Sequence, residues 1–180
     1  MDTEILIEKL KERYNMHPLV GEGGLFSQAY TCEEKYPLSS LPERYRDSDD
    51  DKPYGTAIIY IMTENTFSRM HRLPTDEVYH FYLGDPVEML QLLPDGSSRV
   101  VQLGQDVLNG QDVQTVVPRG TWQGSRLIPG GKFALLGCTM APGYTASDYV
   151  DGYESELFAQ YPDVKDPELL KALTEEPSYY

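Results

Sequence analysis

The chain has 180 residues, with 15 lysines and arginines against 29 aspartates and glutamates, a formal charge of −14. A chain of this length buries about 70% of its unfolded surface in one domain, so it needs neither disulfides nor a structural metal to hold a core. So acidic a surface repels phosphate backbones and anionic lipid. Nucleic acid polymers and membranes are therefore not expected partners, although a local basic pocket would still admit a phosphate.

Cys32 and Cys138 lie far apart and form no C-x-x-C pair. They read as small buried or free thiols rather than redox or zinc residues. The N-terminus, Met1-Asp2-Thr3-Glu4, carries no basic n-region, and no apolar run is long enough to span a bilayer. A cytoplasmic location is the expectation.

In chain order, Thr3–Met16 predicts a helix. Thr3 is placed to cap it, Ile5, Leu6, Leu10 and Tyr14 recur near helical spacing, and basic residues sit toward its end. His17-Pro18 follows, then Gly21-Glu22-Gly23-Gly24, a flexible lead into a short strand over Leu25–Thr31. It is no phosphate loop, because no Lys-Ser/Thr follows and no apolar strand precedes it. Residues 33–54 form a long polar connection with Pro37, Pro42 and Pro53. The acidic run Asp47, Asp49, Asp50, Asp51 lacks the spacing and closing glutamate of an EF-hand and reads as a solvated loop.

From Gly55 the pattern changes to short segments rich in β-branched and aromatic residues: Thr56–Met62, Ser68–Leu73, Glu77–Leu83, Val87–Leu93, Ser98–Leu103, Thr115–Val117, Thr121–Leu127 and Phe133–Met140. Turn signals such as Gly84-Asp85-Pro86, Asn109-Gly110 and Pro129-Gly130-Gly131 separate them. About eight such strands, with no helical stretch between them, predict an antiparallel sandwich or barrel and rule out a parallel α/β fold. The tail from Asp148 is acidic and tyrosine-rich, with a short helix over Pro167–Leu173. Residues 1–150 are expected to form one domain, and 151–180 an extension that packs on it or frays.

The chemistry concentrates in Ser68-Arg69-Met70-His71-Arg72-Leu73 and Glu77-Val78-Tyr79-His80-Phe81. Strand alternation puts Arg69, His71 and Leu73 on one face, with Glu77, Tyr79 and Phe81 together on the next strand. If the two strands pair, His71 and Glu77 meet inside a barrel and His80 faces out, where it would serve a subunit contact. Trp122, adjacent to Gln123, then also points outward.

Here the sequence resembles the cupin superfamily. His71, Glu77 and Gly84 fall at the spacing of its first motif, with Leu73 in place of the second histidine. Pro118-Arg119-Gly120-Thr121-Trp122-Gln123 matches its second motif, with Gln123 replacing histidine. The longer match is to the fifth cupin family, of uncharacterised function. It runs through Phe67-Ser68-Arg69-Met70-His71-Arg72, Asp76-Glu77-Val78-Tyr79-His80, Val117–Gln123 and Ala141-Pro142-Gly143-Tyr144 before Asp148, while the His17–Gly24 stretch spaces its elements three residues further apart. The resemblance implies an all-β, cupin-type antiparallel jelly-roll barrel with an N-terminal helix, a short C-terminal helical tail, and a homodimer.

Metal-binding cupins use three histidines and a glutamate. This chain keeps only His71 and Glu77, so no metal or cofactor is expected. The same residues then suit a metal-independent isomerase or epimerase. His71 would be general base and Glu77 its orienter, as in the sugar-epimerase cupins that this barrel resembles. Arg69 would anchor a phosphate or carboxylate, Gln123 offers a donor and an acceptor, Tyr79 a ring with a hydroxyl, and Ser68 and Phe81 complete the ligand set. The expected ligand is a small polar metabolite that is sugar-, nucleotide- or acid-like. The alternatives are a structural His71–Glu77 pair in a non-catalytic dimeric binding or scaffold protein, and a metal-dependent oxygenase or lyase.

Overall fold

The computed structural model describes residues 2–45 and 51–179; Asp47, Asp49 and Asp50 of the acidic run lie outside the described residues. Helix α1 spans Thr3–Tyr14. The strands are β1 (His17–Pro18), β2 (Leu25–Thr31), β3 (Lys35–Tyr36), β4 (Lys52–Pro53), β5 (Thr56–Thr63), β6 (Ser68–Arg72) and β7 (Glu77–Gly84). They continue as β8 (Val87–Leu92), β9 (Ser98–Leu103), β10 (Gln114–Val117), β11 (Trp122–Leu127), β12 (Phe133–Met140) and β13 (Val150–Asp151), followed by helices α2 (Glu154–Gln160) and α3 (Pro167–Ala172).

Two antiparallel sheets face each other: β1-β2-β5-β12-β7-β10 and β13-β6-β11-β8-β9. Period-two alternation assigns each strand two destinations. On β8, Met89 points between the sheets while Leu90 points away; on β12, Leu136 and Leu135 divide in the same way. Much of the interior is an apolar cluster built on Tyr60, Met62, Tyr79, Phe81, Val87 and Leu136. The outer face of the six-stranded sheet is covered by α1, whose Leu6, Ile7 and Leu10 pack on Ile61, Phe133 and Leu135. The outer face of the five-stranded sheet is covered by the C-terminal segment, whose Leu157, Leu169, Leu170 and Leu173 bury Met70, Leu92 and Trp122. Trp122 thus faces outward, as alternation requires.

The β7–β8 turn shows why its residues are there. Gly84 sits at φ +100°, where a Cβ would strike the Phe133 carbonyl. Asp85 accepts from the Lys132 amide at 2.6 Å.

Several details differ from expectation. The cap of α1 is Asp2, whose Oδ1 accepts from the Glu4 amide at 3.1 Å, and Thr3 is already helical. The helix ends two residues early because Asn15 turns left-handed at φ 48°. Helix α2 and the two-residue strands escape the sequence reading because segments that short carry no periodicity. The most consequential correction is that β6 and β7 do not pair. β6 lies between β11 and β13, while β7 lies between β12 and β10 in the other sheet. Leu73-Pro74-Thr75-Asp76 carries the chain across, and Pro74 has no N–H to give to a hairpin ladder.

The 33–54 connection is fastened at its end. Lys52 is fully buried, its Nζ 2.5 Å from Asp148 Oδ2 and 2.8 Å from Thr145 Oγ1.

Candidate functional site

Alternation on β7 sends Glu77, Tyr79 and Phe81 inward, all buried, and leaves Val78 and His80 half-buried outside. His80 is held there by Thr139 Oγ1 at 3.1 Å and Gln114 Nε2 at 3.0 Å. On β6, Arg72 stacks its guanidinium over Trp122 on the outer face, while His71, 1% exposed, lies within. β11 brings Gln123 into register beside His71. The histidine and Glu77 therefore meet from facing sheets, and they meet through Gln123 rather than directly. The amide Nε2 of Gln123 donates to Glu77 Oε2 at 2.5 Å and lies 3.3 Å from His71 Nε2. His71 Nδ1 is 2.7 Å from the Arg69 carbonyl, which can only accept, so Nδ1 donates and Nε2 is left to receive the amide. Gln123 Oε1 is buried without a partner.

A residue not singled out from the sequence completes the group. Glu22 reaches in from the loop ahead of β2; its Oε1 accepts from Ser68 Oγ at 2.7 Å, and its Oε2 stands 3.9 Å from His71 Nε2. Far from being a flexible lead, this loop is tied on every side. Arg69 N donates to the Glu22 carbonyl, Tyr60 Oη to the Gly23 carbonyl, and Gly24 N to the Ser178 carbonyl, while Gly21 N donates to Tyr179 Oη. Gly23, at φ +109°, lies so close to the Phe67 carbonyl that no Cβ fits. The adjoining glycines were the available signal, since close backbone approach is one of the things glycine is for.

Burial, then the charge of Glu22, pushes the Glu77 carboxyl up to about 7, against the lowering effects of His71, Gln123 and Cys138. The Cys138 thiol is raised by burial and by both glutamates, which keeps it a protonated thiol rather than a nucleophilic thiolate. Burial and Glu22 likewise push Tyr144 up to about 12 and raise Tyr149, whose ring stacks on His71 at 5.2 Å.

Glu77 and Glu22 both line a cavity of about 160 Å³ in the barrel mouth. Its walls include Leu19, Phe26, Ile58 and Leu73, with Gln28, Thr56 and Tyr144 as polar members. Of the seven residues expected from the sequence, Glu77 lines this cavity. His71 and Gln123 stand behind it, Ser68 holds Glu22, and Tyr79 and Phe81 belong to the apolar interior. Arg69 is turned toward the tail, 3.3 Å from Asp151 and over the Tyr153 ring.

A cupin-type metal does not fit this set. Leu73 offers no donor atom, the neutral amide of Gln123 turns its nitrogen between His71 and Glu77, and one imidazole remains. Among the described residues, no three His, Cys, Asp or Glu side chains cluster as a metal would require. Nor is any described helix long and apolar enough to cross a membrane.

Two facing antiparallel sheets, with the first-motif histidine and glutamate turned inward from opposite sides, define a cupin barrel. The chain belongs to the family described as Cupin superfamily (DUF985), whose model matches residues 8–150. It is similar to an uncharacterized protein of Saccharomyces cerevisiae, 25% identical over 136 residues, which cover 71% of this chain and 66% of the yeast protein. Among solved structures, a protein of Shewanella oneidensis superposes with TM-score 0.78 at 25% identity, covering 93% of this chain and 96% of its own. A hypothetical protein from Leishmania major superposes at 0.79 and 24%, covering 94% and 98%. A Bacillus subtilis oxalate decarboxylase variant shares the fold alone, at TM-score 0.52 and 12% identity, over 92% of this chain and 39% of that one.

Proposed function

We propose that the barrel interior binds a small polar molecule and that Glu77 is the group that exchanges a proton with it. The observation that carries this reading is a buried carboxyl, raised to about 7, on the wall of a largely apolar cavity. Such a carboxyl is close to half ionised at neutral pH and gives or takes a proton at similar cost, which is what general acid–base catalysis requires. The proton-transfer role expected of His71 passes to Glu77. His71 instead fixes the rotamer of Gln123, and Gln123 fixes the carboxylate. This supports metal-independent proton transfer of the isomerase or epimerase kind.

The test is native mass spectrometry of gently purified protein, followed by the Glu77→Gln variant. The expected result is a small organic adduct on the wild-type chain, weakened or lost in the variant. A metal mass at one per chain, or an adduct indifferent to Glu77, would overturn the reading.

A further inference from the structure

The cavity is acidic, and the donors on its wall are neutral: the Thr56 and Tyr144 hydroxyls and the Cys138 thiol, with the Gln28 amide already donating to the Tyr30 and Ala57 carbonyls. Two carboxylates face it, from Glu22 and Glu77, and among the described residues no lysine, arginine or histidine is part of its wall. Just behind, Gln123 Oε1 is a buried acceptor with no donor, on the same amide that holds Glu77. The cations that could have drawn an anionic ligand are spent elsewhere. Arg69 is engaged with Asp151 and Tyr153, and Lys52 is buried against Asp148. A phosphate or carboxylate entering this space would meet like charge in a medium that screens it poorly.

Building on the small-molecule reading above, we infer that the ligand is a small organic cation, an alkylammonium-type amine, and that Glu22 is the residue that selects it. An ammonium brings three donors and the positive charge the two carboxylates lack. Its hydrocarbon part suits Leu19, Phe26, Ile58 and Leu73. Glu22 is placed for this by construction rather than by chance of rotamer. Ser68 Oγ fixes one carboxylate oxygen, and its loop is pinned by Tyr60, Ser178 and Tyr179. Glu77, beside it, remains free for the proton. The acid-like and phosphate-bearing metabolites expected from the sequence are the wrong charge for this wall.

The experiment compares three probes of matched shape, n-butylammonium, n-butanol and butyrate, by calorimetric titration of the wild-type chain. The Glu22→Gln variant and a surface control, Glu156→Gln, are titrated in the same way. The expected order is butylammonium tightest, by about tenfold or more over the other two. That preference should vanish in Glu22→Gln and persist in Glu156→Gln. Equal or tighter binding of butanol or butyrate would overturn the cation assignment while leaving the cavity a binding site. A preference that survives Glu22→Gln would overturn the role of Glu22, and one that also falls with Glu156→Gln would reduce it to the general acidity of the surface. Failure of all three probes to bind would overturn the assignment together with the small-molecule reading on which it rests.

Discussion

Glu77 behaves as it does because its surroundings disagree about its charge. Burial and Glu22 favour the neutral form, whereas His71 and the Gln123 amide favour the carboxylate. The sign of the pH dependence follows. An unfolded chain releases this proton near the ordinary 4.5, the folded one near 7. Below both values the two states hold the same proton and Glu77 contributes no difference. Between them only the folded chain holds it, so stability falls as pH rises through this window, and the loss is complete above about 7. The expected loss is about 3 kcal/mol, and Glu77→Gln should remove it. Urea unfolding at about pH 5 and about pH 8 would show a smaller difference in the variant than in the wild type. A second variant probes the amide. Gln123→Leu deletes the donor that favours ionised Glu77, so the carboxyl should titrate still higher, which carboxyl-carbon NMR would read directly. An unchanged or lower midpoint would mean that the short amide contact has little effect on Glu77.

At the scale of elements, two attachments carry more weight than their length suggests. The first is the end of the 33–54 connection. Lys52→Met would strand Asp148 as a buried carboxylate whose remaining partners are Thr145 groups, a change that typically costs about 3 to 5 kcal/mol. Chemical denaturation should show a loss of that order, while a surface change such as Glu156→Gln should cost almost nothing. The second is the C-terminal segment, whose leucines cover Trp122, the only tryptophan of the chain. Leu170→Ala should cost about 2 to 5 kcal/mol by transfer and cavity terms. Ending the chain after Gly152 should shift Trp122 emission to the red, since its cover comes from residues beyond that point. An unshifted spectrum would mean that the tail does not seat on the sheet in solution.

For the molecule as a whole, the strands were legible because alternation and turn chemistry are local. β2, β9 and β12 match the sequence-based bounds residue for residue, and β5, β6, β7, β8, β10 and β11 fall within one residue of them at each end. The family was legible from ordered motifs. The partner of a strand was not. His71 and Glu77 stand six positions apart, which on a short hairpin would mean paired strands, yet the chain crosses between sheets at Pro74 and the two groups meet across the interior. Alternation still sent both inward, which is why they come together by a different route. Glu22 escaped notice because a glycine-rich run is ambiguous in sequence. The same residues serve a loose loop or one pressed against backbone, and only the neighbouring Phe67 carbonyl and Tyr60 hydroxyl decide between them. The charge of the cavity was illegible for a similar reason. Arg69 shares the inward face of His71, but Asp151, from a two-residue strand with no periodicity, draws it away.

The site turns on one proton. Carboxyl-carbon NMR of Glu77 across the neutral range, with Glu77→Gln as the assignment control, measures it without reference to any ligand. The midpoint predicted is near 7, well above that of exposed glutamates in the same spectrum. A midpoint in the ordinary carboxylate range would mean a solvated Glu77 and no acid–base site in the barrel.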